Sequence, residues 1–216
     1  ISALRRRGFV VEGINNFVDS LGLSKSESSP SLELVASFNR KARDKTDKRY
    51  FFVKDPIKLK ITNVPKKSVT LKHHPTENLG SRTIMISDEF WVSEADLRNS
   101  SEGEVIRLMD LFNIKIQKKT KMIIESDFDS EKPLDRIRKI HWVTADGIPF
   151  KLRVPNNDEF SINSDGSFQF KNESDKTYNG FAENSCQSLQ VGDLIQFNRI
   201  GFCRIDSPNL AILSHK

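Results

Sequence analysis

With 216 residues, 37% hydrophobic and 29% charged, the chain has the composition of a folded globular protein of one large or two small domains, not of a disordered one. Its 34 Lys and Arg against 29 Asp and Glu leave a net charge of +5, which favours a polyanionic partner only modestly, since many basic proteins bind no nucleic acid. No apolar run approaches the ~18 residues of a membrane span and no secretory leader is visible. The two cysteines, Cys186 and Cys203, are too few for a disulfide scaffold and read as reduced and structural, as in a cytoplasmic protein.

Residues 1–48 read as helical. Val10, Ile14, Phe17, Val18 and Leu21 follow helical spacing, and Gly22 is a natural stop. Ser29-Pro30 offers an N-cap followed by proline at the first helical position. Leu34, Val35, Phe38 and Ala42 then supply an apolar stripe. Both stripes are expected in the core. Arg5, Arg6, Arg7, Arg40, Lys41 and Arg43 form either a solvated face or a set of phosphate contacts.

From Arg49 the pattern turns to strands. Tyr50–Val53, Ile57–Ile61, Val69–His73, Thr83–Ser87 and Glu89–Val92 are short, β-rich and separated by Pro, Gly and Asn, which argues for a barrel rather than a doubly wound fold. Ser93 with Asp96 resembles a capping box over a turn or short helix. A second β block follows in Val105–Leu108, Phe112–Ile116, Lys121–Ser126, Ile137–Val143, Phe150–Val154 and Phe160–Ile162. Asp146-Gly147 is a hairpin signal between two of these strands. Residues 170–181, polar and rich in Asn and Lys, read as an exposed loop. The expected fold is mainly β: a small N-terminal helical subdomain followed by two β-barrels.

The last stretch opens with a turn at Gly192-Asp193. Leu194, Gln196 and Asn198 then alternate with Ile195, Phe197 and Arg199 on two faces of a strand. A glutamine amide can pair two ways with the edge of an unstacked base, and an arginine can hold a base edge or a phosphate. A barrel strand with solvated polar groups carries the same pattern. Elsewhere, His73-His74 before Pro75 suit a turn, and His141 before Trp142 suits a strand. No Cys or His spacing resembles a zinc site. Asp127, Asp129 and Glu131 imitate a calcium loop without its glycine or its bidentate glutamate. No metal ligand and no catalytic residue is assigned.

Gln196-Phe-Asn-Arg199 with Gly201-Phe202 resembles the last signature of the anticodon-binding region in class I glutamyl- and glutaminyl-tRNA synthetases of the archaeal–eukaryotic type. Asp47–Pro56, His74-Pro75 with Leu79–Arg82, Gly103–Leu108 and Ile140–Val143 occur in the family's order at similar spacing. The resemblance runs from Leu4 to the C-terminus. It implies a helical connecting subdomain at 1–48, a proximal barrel from 49–100 plus 194–216, and a distal barrel at 101–193. It also implies that the closing strand near 194–206 returns to the barrel begun at Arg49.

The function it implies is recognition of the anticodon stem and loop of tRNA(Glu), with tRNA(Gln) as a second candidate. Arg49, Gln196 and Arg199 would surround the middle anticodon base, a uridine. Arg107 matches the first arginine of a pair that contacts an outer nucleotide, and Met109 replaces the second. Arg5, Arg6, Arg7 and Arg40 would meet the tRNA backbone. Phe51, Phe52 and Phe112 are either base platforms or core, and core is the expectation. The family's ATP-holding His-x-Gly-His and Lys-Met-Ser-Lys-Ser signatures are absent from these residues. Leu4–Gly8 resembles a segment just beyond the catalytic domain. The chain thus resembles the C-terminal part of a longer enzyme that uses ATP with magnesium, and is expected to have neither catalysis nor a cofactor of its own. Arg49–Val53 leans towards the glutamyl branch. A glutaminyl enzyme, or a non-catalytic barrel protein that binds RNA or a synthetase, is the alternative.

Overall fold

The computed structural model of the chain describes residues 2–22, 31–65, 68–120, 122–156, 160–162, 168–170 and 175–216. Three helices come first: α1 (Ser2–Arg6), α2 (Val11–Leu21) and α3 (Leu32–Arg43). α2 stops at Gly22, as its sequence requires. The expected helix start at Ser29-Pro30 lies outside the described residues. The hydroxyl that caps α3 is that of Ser31, whose Oγ accepts from the Leu34 amide at 3.3 Å.

The helices bury faces that overlap the expected stripes only in part, at Phe17 packed against Phe38. α2 turns Gly13 and Phe17 inward and exposes Val18, while α3 buries Ala36, Asn39 and Arg43 and exposes Leu34. Close approach sets this seam, because a Cβ on Gly13 would lie 2.7 Å from the Asn39 Cα. Polar residues can occupy it because they are hydrogen-bonded. Arg43, expected on a solvated or phosphate-binding face, is 1% exposed. Its guanidinium donates to Asp47 at 2.6 and 2.9 Å, to the Gly8 carbonyl at 2.9 Å and to Ser214 Oγ at 2.8 Å. It also donates to the carbonyls of Cys203 at 2.7 Å and Ile195 at 3.2 Å, and so bolts the helices to the sheet behind them.

Asn39 fixes a histidine in the same seam. Its Oδ1 accepts from the Val10 amide at 2.8 Å, so its Nδ2 faces His215 Nε2, also at 2.8 Å, and must donate to it. His215 is therefore neutral with its proton on Nδ1. Burial, and next the charge of Arg43, pushes its pKa down to about 4. The folded value lies below the ordinary one near 6.5, so the stability tied to this ring is complete above pH ~6.5. It is lost as pH falls from there towards 4, where the unfolded chain takes up a proton that the folded chain refuses. An NMR titration of the His215 ring is expected to show a midpoint near 4. A midpoint in the ordinary histidine range would contradict the Asn39 arrangement.

The strands follow in order: β1 (Lys48–Tyr50), β2 (Phe52–Lys54), β3 (Pro56–Thr62), β4 (Ser68–Lys72), β5 (Ser81–Met85) and β6 (Glu89–Ser93). A one-turn helix, α4 (Glu94–Leu97), leads to β7 (Val105–Leu108), β8 (Asn113–Lys119) and β9 (Ile123–Ser130). Next come β10 (Lys139–Ile140), β11 (Trp142–Thr144), β12 (Ile148–Val154), β13 (Phe160–Ile162), β14 (Phe168–Phe170) and β15 (Lys176–Ala182). A 3-10 turn at Asn184–Ser188 precedes β16 (Leu194–Phe197), β17 (Gly201–Ser207) and β18 (Leu210–His215).

Two seven-stranded sheets carry the fold, in the orders β1-β16-β17-β18-β12-β15-β2 and β10-β7-β8-β9-β3-β6-β11. The edge strands of each are consecutive pieces of one extended segment, parted by a single residue, Phe51 in the first and His141 in the second. Each sheet thereby curls into a nearly closed barrel. The run Tyr50-Phe51-Phe52-Val53 sits between them: Tyr50 and Phe52 pack into the first core, Phe51 and Val53 into the second. A strand with a core on both sides is apolar throughout rather than alternating. Trp91 of β6 stacks on Phe181 of β15 across the same junction, with ring centroids 4.4 Å apart.

Strands are shared between the sheets differently from the expected split of 49–100 plus 194–216 against 101–193. β3 and β6 belong with β7–β11, and β12 and β15 belong with β16–β18. The reason is non-local parallel pairing, β3 with β9 and β12 with β18, which nearness in sequence does not reveal. Asp146-Gly147 accordingly joins two barrels rather than two arms of a hairpin: β11 pairs with β6, and β12 with β15 and β18. The expected loop at 170–181 is strand from Lys176 onward, because β15 finds partners on both sides in β12 and β2. The return of the closing strand to Arg49 is as expected, with β16 parallel to β1. Phe51, Phe52 and Phe112 are core, at most 1% exposed. Both cysteines are buried free thiols, and burial pushes the Cys203 pKa up to about 12.

Candidate nucleic-acid interface

β16 is launched by the Gly192-Asp193 turn. Asp193 Oδ2 accepts from the Gln190 amide at 2.8 Å, and the Gly192 amide donates to the Ile205 carbonyl, also at 2.8 Å. The strand then runs between β17 and β1. Ile195 and Phe197 enter the core, which leaves Gln196 half-buried on the other side. The register sets Gln196 directly beside Arg49, although they lie near opposite ends of the chain. Arg199 does not share the face of Ile195 and Phe197, as alternation implied. The strand ends at Phe197, and Arg199 lies in the following turn with φ 63°.

Arg49 opens onto a cavity of about 540 Å³ whose wall includes Lys72, His74, Arg107, Met109 and Asn198. The cavity thus joins the start of one barrel, the β4–β5 hairpin and the β7–β8 turn of the other. His74 shapes the hairpin side. Its Nδ1 accepts from the Glu77 amide at 2.9 Å, so the ring proton sits on Nε2 and is donated to the Asp44 carbonyl at 2.8 Å. Arg82 secures the hairpin base, donating to Glu183 Oε2 at 2.8 Å and to the Lys72 carbonyl at 2.9 Å, with both side chains buried.

Arg49 is held by one ion pair, from Nη2 to Asp44 Oδ1 at 3.0 Å. Its Nε is buried without a hydrogen-bond partner, and so is Oε1 of Gln196 next to it. Folded proteins rarely leave such atoms unpaired, so an unpaired donor and an unpaired acceptor on two register partners call for an explanation.

Arg107 reaches the same cavity but spends much of its guanidinium on the fold. It donates to Asn113 Oδ1 at 2.9 Å and to the carbonyls of Glu131 at 3.1 Å and Leu111 at 3.2 Å. Met109 packs partly against the core, and its carbonyl accepts from Trp142 Nε1 at 2.9 Å.

Arg199 sits apart from this wall, on a carboxylate. Both Nη atoms donate to Asp96, at 3.0 and 3.1 Å. Ser93 makes no side-chain cap bond, so the expected capping box is absent and Asp96 serves the arginine instead. Of the N-terminal cations, Arg6 pairs with Asp206 at 2.7 Å, Arg7 donates to the Ser214 carbonyl at 3.1 Å and Arg40 to that of Lys216. Arg5 is exposed. The structure therefore brings Arg49 and Arg107 to one cavity and sets Gln196 in register with Arg49 on the neighbouring strand, with Arg199 beside Asp96 and the four N-terminal arginines elsewhere. Sequence alone gives Lys72, His74 and Asp96 no site role, and only His74 falls within a recognised motif.

Among the described residues, no cluster of three or more His, Cys, Asp or Glu is placed to hold a metal. No described helix is long and apolar enough to cross a membrane.

A family model described as the anti-codon binding domain of class I tRNA synthetases (E and Q) matches residues 48–131, and a second of the same description matches residues 139–206. The glutamate--tRNA ligase of Nitrosopumilus maritimus is 37% identical over 222 residues, which cover 100% of this chain and 37% of that protein. Those of Methanococcoides burtonii and Pyrococcus horikoshii are each 33% identical, again over 100% of this chain, and over 35% and 37% of those proteins. The chain spans about a third of the length of the curated relatives it matches.

Proposed function

The chain belongs to the anticodon-binding domains of the class I tRNA synthetases for glutamate and glutamine, and on that premise we propose that it binds the anticodon stem-loop of tRNA(Glu) as part of a glutamate–tRNA ligase. The observation that carries the choice of site is the pair of unpartnered buried atoms, Arg49 Nε and Gln196 Oε1, on residues in register across β1 and β16, with Arg49 in the wall of the inter-barrel cavity. A donor and an acceptor on neighbouring strands suit the edge of an unstacked uridine. Arg199, held on Asp96 outside the cavity wall, is assigned to the same base by the family resemblance alone. Arg107 forms the wall and offers an outer nucleotide the donors it has left. Exposed Lys72 and Arg5 attract the backbone. The joining of glutamate to tRNA with ATP and magnesium falls to the catalytic part of such an enzyme, which works in the cytoplasm.

Affinity of the chain for this stem-loop is expected to fall steeply with salt. On a log–log plot each phosphate engaged on single-stranded RNA adds roughly 0.7 to the slope. A flat titration would remove the nucleic-acid reading.

A further inference from the structure

The two nearly closed barrels meet at their seams, and the Arg199–Asp96 ion pair spans the junction there. Arg199 belongs to the β16–β17 turn of the first barrel, and Asp96 to α4 on the second. The carboxylate grips both Nη atoms, at 3.0 and 3.1 Å. Asp96 is itself anchored: its carbonyl accepts from Arg138 Nη1 at 2.9 Å, and that arginine is held by Ser100 Oγ at 2.5 Å and Glu104 Oε1 at 2.6 Å. His141, the residue that parts β10 from β11, backs the pair, its Nδ1 3.6 Å from Asp96 and 3.4 Å from Arg199. The arginine side chain is 41% exposed and the carboxylate 18%, so the cation faces out with the anion behind it. An end-on grip of this kind leaves the Nε–H side of the fork for a ligand.

We propose that Asp96 is a specificity-determining positioning residue, which fixes and neutralises the Arg199 guanidinium so that it reads the edge of an RNA base rather than attracting any phosphate. The inference rests on the anticodon reading above. A bare arginine at the same place adds sequence-independent attraction, whereas a paired one binds only where its remaining N–H groups meet acceptors in the right direction.

The test uses the chain and two RNA hairpins, one with the anticodon loop of tRNA(Glu) and one with cytidine for its middle uridine. Asp96→Asn keeps the shape and removes the charge. It is expected to cut the uridine-to-cytidine affinity ratio by roughly fivefold or more, the size of a lost directed base contact. The salt slope should steepen by roughly 0.7, one added phosphate contact. Arg199→Lys, which keeps the charge and cannot fork, is expected to lose the ratio as well. An inter-barrel brace with no part in recognition would lower melting temperature and leave ratio and slope unchanged in Asp96→Asn, which would overturn the proposal. Should that variant not fold, an unchanged ratio in Arg199→Lys would overturn it equally. If the wild type itself fails to distinguish the hairpins, the anticodon reading falls first. If the wild type and Asp96→Asn distinguish them equally, only the role of Asp96 falls.

Discussion

Replacing Arg43 by methionine is expected to destabilise the chain by about 3–5 kcal/mol at neutral pH, the usual cost of removing one partner of a buried ion pair. Against a typical domain stability of about 5–15 kcal/mol, that brings the variant close to unfolding. Arg43 and Asp47 side chains are 1% and 3% exposed, and the guanidinium also serves two strand carbonyls, the Gly8 carbonyl and Ser214. Burial already raises the Asp47 pKa, with Arg43 pulling it back down. Without Arg43 it rises further. A carboxyl whose folded pKa lies above its unfolded value costs stability while ionised and ceases to cost it once protonated, so the Arg43→Met penalty should shrink as pH falls. Replacing Asp47 by leucine as well should recover much of the loss. Urea unfolding of wild type, single and double variants at two pH values checks this. A single-variant cost below about 1 kcal/mol, the level of a surface pair, would contradict the buried arrangement.

Arg43 also shows where sequence reasoning stopped. A basic residue in a helix beside Arg40 and Lys41 looks solvated, and only the carbonyls of strands distant in sequence make its burial tolerable. The same holds for Asn39, whose partners Val10, Gly8 and His215 come from both ends of the chain. Hydrophobic periodicity found α2 and α3 and the Phe17–Phe38 contact but missed the centre of the buried faces, because a glycine contact and two satisfied polar side chains set the seam. Strands were legible from alternation and turn residues. Their assignment to sheets was not, since parallel pairs such as β3 with β9 leave no local signal. Asp146-Gly147 misled for that reason: turn chemistry specifies a reversal of the chain, not which sheet the next strand joins.

The site was legible to the extent that it lies in motifs. Arg49 and Gln196 were paired by resemblance, and the register of β1 against β16 supplies the physical link. Asp96 was misread because a Ser three residues before an Asp looks like a cap whatever tertiary partner the carboxylate finds. Resemblance gives Arg107 an outer nucleotide as its partner, and nothing in its own segment announces Asn113, Leu111 and Glu131 as further acceptors.

Gln196 carries the central claim. Its Oε1 is buried and has no partner in the folded chain, so a structural amide has little to lose there. Gln196→Ala is therefore expected to leave unfolding by urea nearly unchanged while removing about 1–3 kcal/mol of selection at the middle base, the worth of a good bidentate contact. Lys58→Ala is the control. Lys58 pairs with Glu89 at 3.1 Å on β3, away from the cavity wall, and should alter binding equally for all loops or not at all. The deciding measurement is the affinity ratio between a uridine-centred anticodon stem-loop and its middle-base cytidine variant, for wild type and Gln196→Ala side by side. A ratio that is large in the wild type and reduced roughly five- to a hundredfold in Gln196→Ala is the expected result. The same ratio in both proteins would mean that Gln196 does not read that base and that the site lies elsewhere.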